Sequence, residues 1–299
     1  MFRKHSNSNT APQSTPVFIV GLPRSGTTLL YQLLLNHFDW SYFTRWAEYY
    51  YRAPVAAYRI QRLIFPQPSY FEYESEYGKM KDRNYLSKAW RPVEGHPIWH
   101  RWFPEKPTHC YEGCLNGSAR EAMKSTITGF IELSGKPFLN KNTRNSIRLL
   151  GLVEAFPDAI VIVVKRRSLY VAQSLYIARL NRQSSGKNGN HKWWGTKPKE
   201  FVHLQHLDPL SQAVGQTRAI ERELEKQLFA YSNRSIKVDY EDICERPGEI
   251  LRTIQEHCEA HRIELRRIKD LDVPQFTLGN KRKVSEADFD SIKSLLDQF

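Results

Sequence analysis

Residues Val17–Asn36, VFIVGLPRSGTTLLYQLLLN, restrict the fold more than any other stretch, because a buried strand must pass into a helix through one glycine-rich turn. Val17, Phe18, Ile19 and Val20 form a short apolar run rich in β-branched residues, which suits a central strand covered on both faces. Leu29, Leu30, Leu33 and Leu34 then recur at helical spacing. Between them, Leu22–Thr28 aims the free N–H groups of the helix's first turn at one point, and that point attracts anions. Gly26 lets an oxygen approach the backbone, Thr27 and Thr28 add hydroxyl donors, and Arg24 adds a permanent charge. The turn reads as a nucleotide-phosphate cradle made of Arg24, Ser25, Gly26, Thr27 and Thr28. The competing reading is a plain strand-turn-helix whose glycine serves only the turn.

Gly21, Gly26 and Thr28 fit the Walker frame G-x-x-x-x-G-K-[ST], but Thr27 stands where that frame needs lysine. Such a loop hydrolyses nucleoside triphosphates poorly, and the gain of Arg24 points to a different phosphoanhydride. The expected fold is α/β: a three-layer, P-loop-like parallel sheet flanked by helices, in a single domain over residues 16–299. Residues 1–15 are polar, lack an apolar h-region and read as a disordered leader. No apolar run is long enough for a membrane span, so the cytoplasm is the expected compartment. The 44 Lys and Arg against 32 Asp and Glu give a net charge of +12, which favours anionic ligands. Those cations are dispersed and carry no aromatic-basic repeat, so nucleic acid is not expected as a partner. Cys110, Cys114, Cys244 and Cys258 are too scattered for a disulfide framework and read as incidental thiols, and no metal site is expected.

Further strands are expected at Trp40–Arg45, Lys136–Lys141, Ala159–Val164 and Ser235–Val238. Helices are expected over Trp46–Ile64 with a break near Pro54, over Glu121–Ser134, and over Arg144–Ala155 with Thr143 as cap. Others run from about Ser168 through Arg179, over Pro209–Phe229, over about Pro247–His261, and over Glu286–Leu296. Residues 66–117 are rich in proline and aromatics and read as an irregular acceptor-side insertion; residues 181–195 suit a flap. The aromatics between Tyr49 and Trp102 either line an acceptor cleft or fill core.

Four segments in order, PRSGTT, NKNTRNS with the downstream FPDA, VKRRSLYVAQS and VDYEDICERP, resemble those of sulfotransferases that use 3′-phosphoadenosine 5′-phosphosulfate (PAPS). The likeness spans residues 16–260 and is nearest to the tyrosylprotein and bacterial carbohydrate-type enzymes. The resemblance implies that Arg166 and Ser174 clamp the 3′-phosphate, that Tyr240 lies on the adenine side, and that a basic residue among Lys281, Arg282 and Lys283 reaches the nucleotide. It also implies that Lys141 contacts the transferring group. Arg179 lies one position off a nucleotide-contacting arginine of the tyrosylprotein enzymes.

Sulfuryl transfer resembles phosphoryl transfer: charge grows on the leaving oxygen, so donors must face it, and no metal is called for. Arg24 and Lys141 are the expected donors. A base must take the acceptor's proton. Glu48, just past the expected second strand, is the first choice, and Glu94 and His96 in the insertion are its rivals. The acceptor is expected to be a hydroxyl-bearing small molecule or glycan, with lipid and peptide tyrosine also open, as is the oligomeric state. Two other classes stand beside this reading: a P-loop kinase-like NTPase, and a non-catalytic nucleotide or anionic-glycan binding protein.

Overall fold

Every residue of Val17–Gly21 (β1) is buried, so this strand sits inside the sheet. A computed structural model describes residues 15–68, 71, 85–103, 114–184 and 193–298. The expected leader, the middle of the insertion and the body of the expected flap lie outside the described residues. Leu139–Lys141 (β2) pairs parallel with one edge of β1, and Ile160–Lys165 (β3) pairs parallel with the other. Ser235–Asp239 (β4) completes the order β2-β1-β3-β4. Chain order therefore reverses direction at β1, and ligands of such sheets bind outside the carboxyl ends at that reversal. Val17 pairs with Ile160 and Gly21 with Val164, so the turn after β1 and the residues after β3 emerge side by side.

Helices flank the sheet, as the α/β reading expects. In chain order they are Thr27–His37 (α1), Arg45–Tyr49 (α2), Pro54–Ile64 (α3), Tyr85–Trp90 (α4), His96–Trp99 (α5), Gly117–Ser134 (α6), Leu149–Ala155 (α7) and Ser168–Ser184 (α8). Phe201–Leu204 (α9), Pro209–Phe229 (α10), Tyr240–Glu245 (α11), Pro247–Ala260 (α12) and Glu286–Gln298 (α13) follow. One large apolar core holds Val17, Phe18, Ile19 and Val20 of β1, Leu139 of β2 and the apolar side chains of β3 together with Leu30, Phe130, Phe138 and Ile254. Smaller clusters join α8 and α10 through Val171, Leu175 and Ile220, and join α13 to both through Ile292 and Leu296. Among the described residues, no helix is long and apolar enough to cross a membrane.

Three expectations about the elements change. Trp40–Arg45 is not a regular strand: Ser41 bridges to Phe138, but Phe43 O then accepts from Val93 N at 3.0 Å and Arg45 N donates to Arg91 O at 2.8 Å. The backbone groups that would extend the ladder along β2 are spent on residues 91–93 instead. Thr143 does not cap a helix over Arg144–Ala155. The Asn142 side chain caps a 3-10 turn, Thr143–Ile147, and Arg148 leaves helical geometry before α7 begins. Residues 66–117 are less irregular than expected, since α4 and α5 lie within them.

Tyr58, Trp90, Trp99 and Trp102 are buried, so these aromatics of the stretch are core, whereas Tyr49 and Tyr50 are exposed. Cys114, expected as an incidental thiol, is disulfide-bonded, while Cys244 and Cys258 are free and buried.

Candidate active site

Gly26 precedes α1 with φ +96°, in the left-handed region. A Cβ there would clash with the Tyr240 ring, so the turn demands glycine on two counts. Arg24 is also left-handed, at φ +72°, a conformation that costs a non-glycine residue about 1–3 kcal/mol and persists only when its surroundings impose it. Two contacts do so: Arg24 Nε donates to Ser174 Oγ at 3.0 Å, and Arg166 Nη1 donates to Arg24 O at 2.8 Å. The end of β1 is fixed by Ser146, whose hydroxyl accepts from Gly21 N at 2.9 Å and donates to Gly21 O at 2.8 Å.

Beyond this turn lies a cleft of about 690 Å³ at the carboxyl ends of the strands. Arg24, Gly26, Thr27 and Thr28 line it, with Lys141 after β2, Arg166 and Ser174 after β3, and Tyr240 after β4. Ser25 is fully buried beneath the turn, and its hydroxyl lacks a hydrogen-bond partner among the described residues.

Arg166 lies over the Tyr240 ring at 4.4 Å and holds the C-terminal segment, donating from Nη2 to Gly279 O at 3.0 Å and from Nε to Asn280 Oδ1 at 2.9 Å. Gln173 binds the same segment by donating to Lys281 O and accepting from Lys283 N. Lys281 and Lys283 therefore reach the cleft, whereas Arg282 pairs with Glu286 at 3.2 Å. Sequence reasoning missed Gln173, Asn280 and Ser146, because each acts through a contact more than 100 residues away in the chain, Gln173 and Ser146 with backbone and Asn280 with the Arg166 side chain. Arg179 does not line the cleft; it donates to Gln216 at 2.8 Å on α10 and stacks on Trp193.

On the other side, Gly95, at φ +73° and packed so that a Cβ would meet Phe43 Cδ2 at 2.5 Å, turns the chain so that Glu94 and His96 both face the cleft. Lys141 Nζ donates to Glu94 Oε1 at 2.5 Å, and His96 Nε2 lies 3.4 Å from Glu94 Oε2. Asn142 Nδ2 donates to His96 Nδ1 at 3.4 Å, a pairing that makes Nδ1 the acceptor and leaves the ring proton on Nε2, towards Glu94. Burial alone would raise the Glu94 carboxyl, but Lys141, His96 and Arg144 outweigh it and hold it below the usual carboxylate range. Burial pushes His96 down to about 4, against the pull of Glu94 and with the help of Arg144 and Arg148. Buried Arg148, itself lowered to about 9 by desolvation, lies over the Phe103 ring at 4.5 Å.

Glu48 does not line the cleft. It accepts from Arg45 Nη1 at 2.7 Å and sits behind Glu94, where burial, with the Glu94 charge, raises its carboxyl against the opposing pull of Arg45. The structure thus brings Lys141, Glu94 and His96 together around the cleft with the cradle residues, and sets Glu48 one layer back.

A profile of the sulfotransferase family matches residues 16–263. The fold is similar to that of the sulfotransferase STF9 from Mycobacterium avium, with a TM-score of 0.54 at 18% identity, over 95% of this chain and 76% of that one. It is also similar to the sulfotransferase STF1 from Mycobacterium tuberculosis, with a TM-score of 0.50 at 17% identity, over 95% and 77% of the two chains. A comparison with curated protein sequences finds no match.

Proposed function

The chain belongs to the sulfotransferase family and is a transferase, and from that premise we propose that it moves a sulfuryl group from PAPS to a hydroxyl of a small molecule or glycan. One observation carries the choice of donor. Arg24, Ser174 and Arg166 are joined by hydrogen bonds at the mouth of the cradle, so the groups suited to a 5′-phosphosulfate and to a 3′-phosphate share one cleft. The donor set suits that ligand: Arg24, Lys141, Arg166, Lys281 and Lys283 line the cleft with the N-terminus of α1, and the one carboxylate that lines it among the described residues, Glu94, is paired with Lys141.

Bound PAPS would supply the activated sulfuryl group; the remaining tasks belong to the chain's own residues. The cradle N–H groups, Thr27 and Thr28 hold the phosphosulfate end, with Arg24 above them. Arg166 and Ser174 hold the 3′ end, Lys281 adds charge there, and Tyr240 supplies the ring face behind. Lys141 presents a cation where charge grows on the leaving oxygen. Glu94 takes the acceptor's proton: it is ionised, faces the cleft and keeps lone pairs beyond those used by Lys141 and His96. His96, with both ring nitrogens engaged, orients Glu94. Glu48 acts on Glu94 through its charge.

The test is transfer of radiolabelled sulfate from PAPS across acceptor classes without added metal, beside an assay of ATP hydrolysis with magnesium. Transfer with no hydrolysis is expected. Hydrolysis with no transfer would assign the cleft to an NTPase, and nucleotide binding without either reaction would assign it to a binding protein.

A further inference from the structure

Next to the cleft is a second hollow of about 470 Å³, lined by Arg45, Trp46, Tyr49, Tyr50, Lys88 and Arg91. It presents three cations, of which Arg45 is paired with Glu48, and three aromatic rings, and among the described residues no carboxylate lines it. Tyr49 is 76% exposed and Tyr50 53%, so the two rings stand open at its rim. The platform between them is braced: Trp46 packs on Tyr50 at 5.0 Å and edge-on to Phe65 at 5.4 Å. The bond from Arg45 N to Arg91 O sets the two arginines on adjacent strands of chain, the same pairing that delivers Glu94 to the cleft.

Flat apolar faces ringed by arginine forks suit a ring-shaped body that carries a carboxylate or sulfate. The volume is that of a small-ligand pocket. Glu94 follows Arg91 by three residues, which span at most about 11 Å. The backbone at Arg91 and at Glu94 therefore lies within the span of a short run of linked sugar rings. Glu48 connects the two places, paired with Arg45 on the hollow's side and bonded to the Gly95 backbone on the cleft's side.

We propose that this hollow is an acceptor subsite for an acidic oligosaccharide. It seats one anionic sugar on Trp46 and the tyrosines while a hydroxyl of a neighbouring sugar enters the cleft at Glu94. The proposal rests on the reading that the cleft transfers sulfate to a hydroxyl. Its test, however, needs neither nucleotide nor turnover.

Isothermal titration of the full chain would use a hyaluronan hexasaccharide, its carboxyl-reduced derivative and a monocyclic phenolic acid. The proteins are the wild type, Lys88→Glu and Tyr49→Ala in the hollow, and Lys293→Glu on the distant α13 as a charge control. The hexasaccharide should bind the wild type at least tenfold more tightly than the reduced sugar. Lys88→Glu and Tyr49→Ala should each weaken it tenfold or more, and Lys293→Glu by less than twofold. Adenosine 3′,5′-bisphosphate, titrated separately, should bind all four proteins alike. The proposal is overturned if the hexasaccharide does not bind, if the reduced sugar binds as well, if the hollow variants bind like the wild type or no more weakly than the control, or if the phenolic acid binds with the same dependence on Lys88 in its place. Loss of bisphosphate binding in the wild type would count against the nucleotide reading alone.

Discussion

Glu94 accepts from Lys141 at 2.5 Å and faces His96 across 3.4 Å, so its charge is held from two sides while it faces the cleft. Glu94→Gln keeps the shape but removes the proton acceptor. It should cut transfer by about 10²–10⁴ and leave bisphosphate binding within a fewfold of wild type. Glu48→Gln should have a smaller effect, since that carboxylate is paired with Arg45 and off the cleft. A variant series in which Glu48→Gln is dead and Glu94→Gln turns over would reverse the two roles. The pH dependence follows from the direction of the shift. With the Glu94 carboxyl held below its usual range, the acid limb of kcat/KM should fall below the value of a free glutamate, about 4.3. His96 titrates in the opposite sense to a histidine that gains a partner. Its folded value, about 4, lies below its ordinary 6.5, so the unfolded chain binds more protons between those values. Stability contributed by His96 is present above pH 6.5 and is lost as pH falls towards 4. Chemical denaturation across that window should show a shallower loss for His96→Gln than for the wild type.

At the scale of elements, two left-handed glycines divide the labour, and single methyl groups can separate their effects. Gly26→Ala drives a Cβ into Tyr240, and Gly95→Ala drives one into Phe43. Gly26→Ala should weaken bisphosphate binding more than tenfold, because the cradle and Tyr240 cannot both keep their places. Gly95→Ala should leave that binding near normal and lower transfer, because it moves Glu94 and His96 alone. Equal bisphosphate binding in the two variants would show that the loop tolerates the methyl. The difference between these glycines also marks what was legible in the sequence. Gly26 sits in a local signal, an apolar strand followed by a helical period, and the same signal placed Arg24, Thr27, Thr28 and the strand before Arg166. Gly95 lies among irregular residues, and its purpose appears only when residues 91–93 take the backbone bonds of Phe43 and Arg45. That non-local pairing is why Trp40–Arg45 reads as a strand in sequence yet does not form one. It is also why Glu48, next along the chain, seemed to have a path to the cleft that Glu94 occupies. Asn142 shows the same limit on a smaller scale: its side chain, not Thr143, satisfies the amide of Arg144 at 2.9 Å.

Across the whole molecule, a parallel sheet collects at one edge what the chain carries far apart. Arg24, Lys141 and Arg166 meet in one cleft because they follow or end parallel strands that lie side by side, and Arg166 and Gln173 hold the segment that brings Lys281 and Lys283 to it. The net charge of +12 is dispersed over the surface, so screening acts on most of it, whereas the cleft cations lie close together around the paired Glu94 carboxylate. A ligand with phosphate at both the 3′ and 5′ positions engages the two halves of that edge at once. A nucleoside triphosphate, with its charge at the 5′ end alone, engages one. Adenosine 3′,5′-bisphosphate at about 100 times its Kd should stabilise the fold by roughly 2.7 kcal/mol, which for a domain of this size raises Tm by about 4–5 °C. ATP, ADP and 5′-AMP at the same concentration should give less than half of that shift. Arg166→Ala removes a charge-assisted contact of roughly 1.5–3 kcal/mol, so it should weaken the bisphosphate by about one to two decades and leave ATP nearly as it was. Thermal shift and titration calorimetry with ATP and the bisphosphate on the two proteins check both expectations. If ATP and the bisphosphate stabilise the wild type equally, or if Arg166→Ala weakens both alike, then Arg166 serves only to hold Gly279 and Asn280, and the 3′-phosphate assignment is wrong.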